Sequence, residues 1–225
     1  MSDGAAAFPY MTVLFDLDGT LTDPKPGITK SVQYALRRLG IQADDLEQLT
    51  PFIGPPLVES FMRYYALDTA TAQQALAYYR EYFAERGLFE NAVYPGIVDL
   101  LARLRRQGRT LAVATSKPAV YAERILAHFH LADDFALVAG SELDGTRVAK
   151  GEVIAYALAR LPSAELSTCV MVGDRMHDVV GARENTIASV AVGYGYGSLD
   201  ELRAAEPTHL VGTVEELGRL LGGEN

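Results

Sequence analysis

Six short apolar runs separated by amphipathic stretches set what this chain can fold into. They are Met11–Phe15, Thr110–Thr115, Phe135–Ala139, Thr168–Val172, Ser189–Val192 and His209–Val211. Runs of this length suit buried strands, and the stretches between them suit crossover helices, so the alternation predicts an α/β fold with a parallel sheet. One of those helices is legible in detail. Pro95-Gly96-Ile97 opens it, Ile97, Leu100, Leu101 and Leu104 recur at helical spacing, and Gly108 stops it. Ser198-Leu199-Asp200-Glu201 and Thr213-Val214-Glu215-Glu216 have the spacing of capping boxes.

The alternation fails between the first two runs. From Pro24 to Val93 there are helical patterns and no convincing strand: Ile28, Val32, Ala35, Leu36 and Leu39 make one apolar face, and Ala72, Leu76, Tyr79 and Phe83 another. The segment is therefore read as a helical insert, residues 23–93, in a core made of residues 1–22 and 94–225. Its aromatics at helical spacing, Tyr64, Tyr65, Tyr78, Tyr79, Tyr82 and Phe83, are expected to form the insert's own core.

Composition narrows the setting. At 225 residues the chain is long enough for one large domain or for one domain with an insert, and no stretch approaches the roughly 18 unbroken apolar residues that span a bilayer. Met1–Ala7 lacks a basic start and a long apolar segment, so it is expected to be a disordered leader and not a signal peptide. The single cysteine, Cys169, cannot form an internal disulfide and is expected to be a small buried hydrophobe, which suits a reducing, cytoplasmic setting. A formal charge of −9 without any Lys/Arg run argues against nucleic-acid and anionic-membrane partners. An anionic substrate would have to be attracted by local groups.

The chemistry collects at the ends of the apolar runs. Asp16-Leu17-Asp18-Gly19-Thr20 follows the first directly, and side chains at i and i+2 of a strand point the same way. Two carboxylates held ~4 Å apart repel by roughly 4 kcal/mol at an effective dielectric near 20, so the pair calls for a cation, a shared proton, or both. Thr115-Ser116-Lys117 ends the second run, Lys150 precedes the helical pattern Gly151–Leu161, and Gly173-Asp174-Arg175-Met176-His177-Asp178 follows the fourth run. Right-handed crossovers bring the carboxyl ends of such strands to one edge, where ligands of open parallel sheets bind. These residue types match the needs of phosphoryl transfer, which is mostly positioning and charge neutralisation. Asp16 is the expected nucleophile, forming an aspartyl-phosphate, and Asp18 the acid that protonates the leaving oxygen and then the base that takes a proton from water. Thr115 and the backbone N–H groups after it are expected to hold phosphate oxygens, and Lys150 to neutralise charge. Asp174 joins Asp16 around a hard divalent cation with oxygen ligands, which describes Mg²⁺. Lys117 is open between a phosphate contact and a surface charge. His177 is read as an orienting or solvated residue, because nothing in this scheme requires an imidazole.

In these motifs the chain resembles phosphatases of the haloacid dehalogenase superfamily, in particular their phosphoglycolate phosphatase-like branch. The resemblance runs from about Thr12 onward and rests on Asp16-Leu17-Asp18-Gly19-Thr20-Leu21, Ala114-Thr115-Ser116-Lys117, Lys150 and Gly173-Asp174-x-x-x-Asp178, in that order. It implies a Rossmann-like core with a small α-helical cap. It also implies Asp16 as nucleophile, Asp18 as acid/base, Thr115 and Lys150 as phosphate ligands, and Asp16, Asp174 and the Asp18 carbonyl on Mg²⁺, with Asp178 behind them. Gly19, Thr20, Ser116 and Lys117 are the further expected contacts to substrate, with Gly54 in the insert. An acid at position 18 favours phosphate chemistry over dehalogenation. The insert lacks the His-and-Lys arrangement of mutase caps, and Lys30 lies in an ordinary amphipathic pattern unlike a Schiff-base lysine. Pro51-Phe52-Ile53-Gly54-Pro55-Pro56-Leu57 resembles the specificity loop of the branch, and Val192–Ser198 resembles both this branch and its 5′-nucleotidases. The expected partner is a small phosphorylated metabolite, with phosphoglycolate, nucleoside monophosphates, sugar phosphates and pyrophosphate all open. A phospho-acceptor signalling domain is the non-enzymatic alternative, but a helical insert of about 70 residues and a general base at Asp18 count against it.

Overall fold

The computed structural model describes residues 10–161 and 165–222. The expected leader, Met1–Ala7, lies outside them. The elements in chain order are β1 (Thr12–Phe15), β2 (Thr22–Asp23), α1 (Lys25–Arg38), a 3-10 helix (Leu46–Phe52), α2 (Leu57–Tyr65), α3 (Thr69–Tyr82), β3 (Ala92–Val93) and α4 (Ile97–Arg106). They continue with β4 (Thr110–Pro118), α5 (Ala119–His128), β5 (Leu137–Ser141), α6 (Lys150–Leu158), β6 (Cys169–Gly173), α7 (Met176–Glu184), β7 (Ala188–Val192), α8 (Leu199–Ala204), β8 (His209–Val211) and α9 (Val214–Gly222). The chain divides into two compact units, Met1–Leu21 with Val93–Asn225, and Thr22–Ala92.

The first unit is built on a six-stranded sheet in the order β5-β4-β1-β6-β7-β8, with every pair parallel. Chain order reverses around β1: the strands go out on one side to β5, return across to β6, and continue on the other. Phe15 therefore sits level with Val113 of β4 and Val172 of β6, and the residues just beyond these three strand ends converge at a topological switch point. All four residues of β1 are buried, which is why the apolar run was needed in full. On one face Leu14, Ala112, Ala139 and Met171 pack with Val153, Ile154, Ala157 and Ala182 of α6 and α7. Cys169 belongs to that cluster and is fully buried. No helix among the described residues is long and apolar enough to cross a membrane.

The strand runs differ from the expected ones mainly at their ends. Strand β4 continues past Thr115 to Pro118, with a register shift against β5 between Ala114 and Pro118. Pairing of β5 starts at Leu137 and not at Phe135, because its partner positions on β4 begin at Ala112. The helix after Ala149 begins at Lys150 itself.

In the second unit α1 buries Ile28, Val32, Ala35 and Leu36, while α3 buries Ala72, Ala75 and Tyr79. Leu39 and Leu76 are only half-buried. The absence of strand expected from Pro24 to Val93 is corrected by Ala92–Val93, which forms a two-stranded ribbon with Thr22–Asp23 where the chain enters and leaves the insert. Among the aromatics, Tyr79 and Phe83 are core and stack on each other at 5.1 Å, whereas Tyr64 is 43% exposed. Phe52, from the loop read as a specificity element, is 2% exposed and packs against Phe61, Tyr64 and Tyr65 at centroid distances of 5.0, 5.5 and 6.1 Å. Its side chain belongs to the insert's core, so the exposed Pro51 and the half-exposed Gly54–Leu57 are what the loop offers to solvent. Gly54 has φ +104°, a conformation that favours glycine.

Candidate active site

The carboxyl end of β1 delivers Asp16 and Asp18, the end of β4 Thr115–Lys117, the start of α6 Lys150, and the turn after β6 Asp174 and Asp178. All lie in the first unit. Asp16, Asp18, Thr115, Lys150, Asp174 and Asp178 are buried polar side chains, an arrangement that requires mutual pairing. Lys150 supplies most of it. Its Nζ lies 2.9 Å from Asp16 Oδ1 and 2.9 Å from Asp178 Oδ1, and donates to the Ala114 carbonyl at 3.0 Å. Burial alone would lower the Lys150 ammonium, but the two carboxylates outweigh it and hold it above the ordinary lysine range. Asp16 Oδ1 also accepts the Leu17 N–H at 2.8 Å.

Asp16, Asp174 and Asp178 place carboxylate oxygens within 4.8 Å of one another. Burial, and then the charges of Asp16 and Asp178, push the Asp174 carboxyl well above the usual range. Burial likewise pushes Asp178 up to about 6 against the pull of Lys150. Asp174 Oδ2 accepts the Tyr196 N–H at 2.8 Å, while its Oδ1 is buried without a hydrogen-bond partner. In this set of hard, crowded, anionic oxygens, Oδ1 of Asp174 and Oδ1 of Asp178 are both buried without a hydrogen-bond partner, the second 2.9 Å from Lys150 Nζ, which fits a divalent cation held by Asp16 and Asp174. Asp178 has its oxygens engaged by Lys150 and by the Arg175 N–H, at 3.0 Å, and so braces the turn from behind. The Asp18 carboxylate stands apart from this cluster, which leaves its carbonyl as the group the resemblance assigns to the metal.

The structure places Asp18 Oδ2 2.8 Å from Lys117 Nζ, both side chains nearly enclosed, at 12% and 6% exposure. A surface charge is thereby excluded for Lys117. Asp18 Oδ1 is buried and has no partner, and burial raises the Asp18 carboxyl while Lys117 opposes that rise. Thr115 is buried, with its Oγ1 accepting the Lys117 N–H at 3.2 Å, and the Ser116 carbonyl accepts Ser141 Oγ at 2.8 Å. Gly19 takes φ +81°, and a Cβ on it would fall 2.2 Å from Asp174 Oδ2, so the backbone passes Asp174 where only glycine fits. Thr20 is fully buried with its Oγ1 unpartnered, and its carbonyl accepts Tyr194 Oη at 3.0 Å. Gly54 belongs to the other unit, and His177 is exposed.

Two supports of Asp174 escaped the sequence reading. The first is Gly195-Tyr196-Gly197. A Cβ on Gly195 would stand 2.3 Å from Asp174 Cβ, and one on Gly197 2.1 Å from the Asp174 carbonyl oxygen. Alternate glycines after a strand were the available signal for close backbone approach. The second is Glu201, whose carboxylate accepts from Arg175 Nε at 2.9 Å, Arg175 NH2 at 3.3 Å and the Met176 N–H at 3.0 Å. Its capping-box spacing suggested a link back to Ser198. Ser198 Oγ does accept the Glu201 N–H at 3.1 Å, but the carboxylate turns to the loop after Asp174 instead.

The family model of haloacid dehalogenase-like hydrolases matches residues 13–192. A 5′-nucleotidase of Pseudomonas aeruginosa is 52% identical over 96% of this chain and 97% of its own length. Tyrosine-protein kinase PtkA of Mycobacterium tuberculosis is 43% identical over 93% of this chain and 72% of its own. Phosphoglycolate phosphatases of several bacteria match at 27–30% identity over 87–94% of this chain. The crystal structure of a predicted phosphatase from Clostridium acetobutylicum, 50% identical, superposes with a TM-score of 0.90 and covers 93% of this chain and 97% of that one.

Proposed function

Because the chain belongs to the haloacid dehalogenase-like hydrolases, we propose that it is a Mg²⁺-dependent phosphatase that hydrolyses nucleoside 5′-monophosphates and related small phosphate monoesters through an aspartyl-phosphate on Asp16. The observation that carries this reading is the pairing of two acids two residues apart with two different lysines, Asp16 with Lys150 and Asp18 with Lys117, with Asp16 also part of a carboxylate cluster that Asp18 does not join. Nucleophile and proton carrier are thus held by different partners, and the nucleophile shares the cation site.

In the first step an Asp16 oxygen attacks phosphorus and the ester P–O bond breaks, with Asp18 giving its proton to the departing alkoxide. In the second, Asp18 takes a proton from water, whose oxygen attacks the phosphorus of the acyl phosphate and releases inorganic phosphate and Asp16. Lys150 holds Asp16 in place and offsets negative charge in both steps. Asp16 and Asp174 would hold Mg²⁺, which would supply the charge neutralisation that lets a dianion approach these acids. Nucleotides are favoured over phosphoglycolate by the 52% identity to a 5′-nucleotidase across nearly the full length of both chains.

Phosphate release from nucleoside 5′-monophosphates, 2-phosphoglycolate, sugar phosphates and pyrophosphate, each with Mg²⁺ and with chelator, tests both parts. The expected result is metal-dependent turnover with kcat/KM for a nucleotide about tenfold or more above that for phosphoglycolate. A reversed ranking refutes the substrate class, and undiminished turnover in chelator refutes the metal.

A further inference from the structure

Among the residues at the carboxyl edge of the sheet, Lys117 has no part in the two steps above, yet it is one of the most tightly seated. Strand β4 bulges against β5 between Ala114 and Pro118. The Lys117 N–H is tied to Thr115 Oγ1, and the neighbouring Ser116 carbonyl to Ser141 Oγ. On the far side Lys117 lies against Gly140 so closely that a Cβ there would stand 2.5 Å from the Lys117 carbonyl oxygen. The backbone at Lys117 is therefore fixed on both flanks. Its enclosed stem carries Nζ to 2.8 Å from Asp18 Oδ2.

The carboxylate at the end of that contact is divided. Oδ2 is held, and Oδ1 is buried without a partner. A carboxyl group turns about its Cβ–Cγ bond over a broad, roughly two-fold well, so a single strong contact to one oxygen decides where the other points. Proton transfer requires the acid oxygen within about 2.6–3.2 Å of the atom it serves, and a free rotor meets that only part of the time. We propose that Lys117 is a positioning residue: it clamps Asp18 by Oδ2 so that Oδ1 is presented to the leaving oxygen of the substrate. Lys150 is already paired with Asp16 and Asp178, and Lys117 is the lysine that pairs with Asp18. The inference rests on the phosphatase reading and concerns which group Lys117 serves within it.

The leaving group separates this role from the alternatives. p-Nitrophenolate departs without help from an acid, whereas an alkoxide needs a proton, and kcat/KM reports only the step up to departure of the leaving group. A misplaced Asp18 therefore harms an alkyl phosphate more than an aryl one. A lost phosphate ligand harms both alike and weakens inhibition by inorganic phosphate. The experiment compares kcat/KM for p-nitrophenyl phosphate and for a nucleoside 5′-monophosphate, with the Ki of inorganic phosphate, in wild type, Lys117→Met, Lys117→Gln, Asp18→Asn and the Lys117→Met/Asp18→Asn double variant. Lys117→Met is expected to lower the nucleotide value about tenfold or more beyond the fall for the aryl ester, with the phosphate Ki within about threefold of wild type. Lys117→Gln, which keeps an amide donor, is expected to fall between. In the Asp18→Asn background the lysine change is expected to cost less than about twofold, because its object is gone. Should Lys117→Met fail to fold, the same ratio read on Lys117→Gln decides. An equal fall for both esters with a raised phosphate Ki makes Lys117 a phosphate ligand and overturns the proposal alone. No change in either ester also overturns it. A wild type that hydrolyses neither ester overturns the phosphatase reading and this proposal with it.

Discussion

Replacing Gly195 by alanine puts a carbon 2.3 Å from Asp174 Cβ, 2.4 Å from the Gly19 carbonyl oxygen and 2.6 Å from Asp174 Oδ2. Ordinary contact for a Cβ begins near 3.4 Å, so about 1 Å has to be absorbed, and backbone on either side leaves Asp174 as the group that moves. Displacing a reacting or ligating group by ~1 Å costs on the order of 10²-fold in rate, and a disturbed support of a metal ligand costs about 10–100-fold in metal affinity. The overpacking itself is expected to cost about 1–3 kcal/mol of stability. Gly212→Ala is the matched control, since its Cβ meets only Glu216 Oε2, at 3.4 Å. The assay is a Mg²⁺ titration of kcat/KM with p-nitrophenyl phosphate, alongside thermal melts of the chelated proteins. The expected result is a Gly195→Ala protein that folds, needs at least tenfold more Mg²⁺ for half-activation and turns over about a hundredfold more slowly, with Gly212→Ala near wild type. If Gly195→Ala keeps both its Mg²⁺ requirement and its rate within about twofold, the crowding around Asp174 is not what places that ligand.

Mg²⁺ at about 100 times its Kd stabilises by about 2.7 kcal/mol, or about 5 °C or more in a chain of this size. Because the Asp174 carboxyl is held high, protons compete for the site, and the Mg²⁺-induced rise in Tm is expected to shrink as pH falls from 8 toward 5.5; a rise independent of pH refutes Asp174 as a ligand. Burial alone would raise the Glu201 carboxyl, but Arg175 and the Met176 N–H outweigh it and hold it below its ordinary value. Its stability contribution is therefore present above the unfolded glutamate pKa and lost as pH falls through the folded one, so Glu201→Gln is expected to lower Tm at pH 7 with a gap that closes below about pH 4. A gap that stays constant to pH 3 contradicts that pairing. Phe52→Ala is expected to destabilise the insert by about 3–5 kcal/mol, as a buried aromatic does, and a melt unchanged from wild type would contradict its place in the insert's core.

What could be read before the structure, and what could not, divides along the range of the interactions. Apolar runs placed all six sheet strands, most directly in β1 and β6, where burial on both faces demands continuous apolar residues, whereas β8 at the sheet edge has no fully buried residue. Their ends shifted where pairing, not hydropathy, decides: Met11 is 49% exposed and drops out of β1, while polar Ser116-Lys117-Pro118 extends β4 through a bulge on its outer side. The carboxylates of the site were legible because a two-residue spacing after a strand is a local signal. Their supports were not. Lys117 reaching Asp18, Tyr196 reaching Asp174 and Glu201 reaching Arg175 depend on which strands are neighbours, and nothing within a few residues of any of them announces its partner. For Phe52 the difficulty was the opposite one. Its Pro-Gly loop suggested a presented surface, but an aromatic beside Phe61, Tyr64 and Tyr65 gains more by burial.

The covalent step on Asp16 is the claim on which the rest depends. Asp18→Asn is the variant in which to seek it, because loss of the base slows hydrolysis of the acyl phosphate. The Asp18→Asn protein is mixed with Mg²⁺ and p-nitrophenyl phosphate, quenched in acid during turnover, reduced with borohydride and mapped by peptide mass spectrometry. Reduction of an acyl phosphate turns its aspartate into homoserine, so the account predicts homoserine at position 16, dependent on substrate and absent from Asp16→Asn. Turnover with Asp16 unmodified, or with the mark on another aspartate, would contradict it.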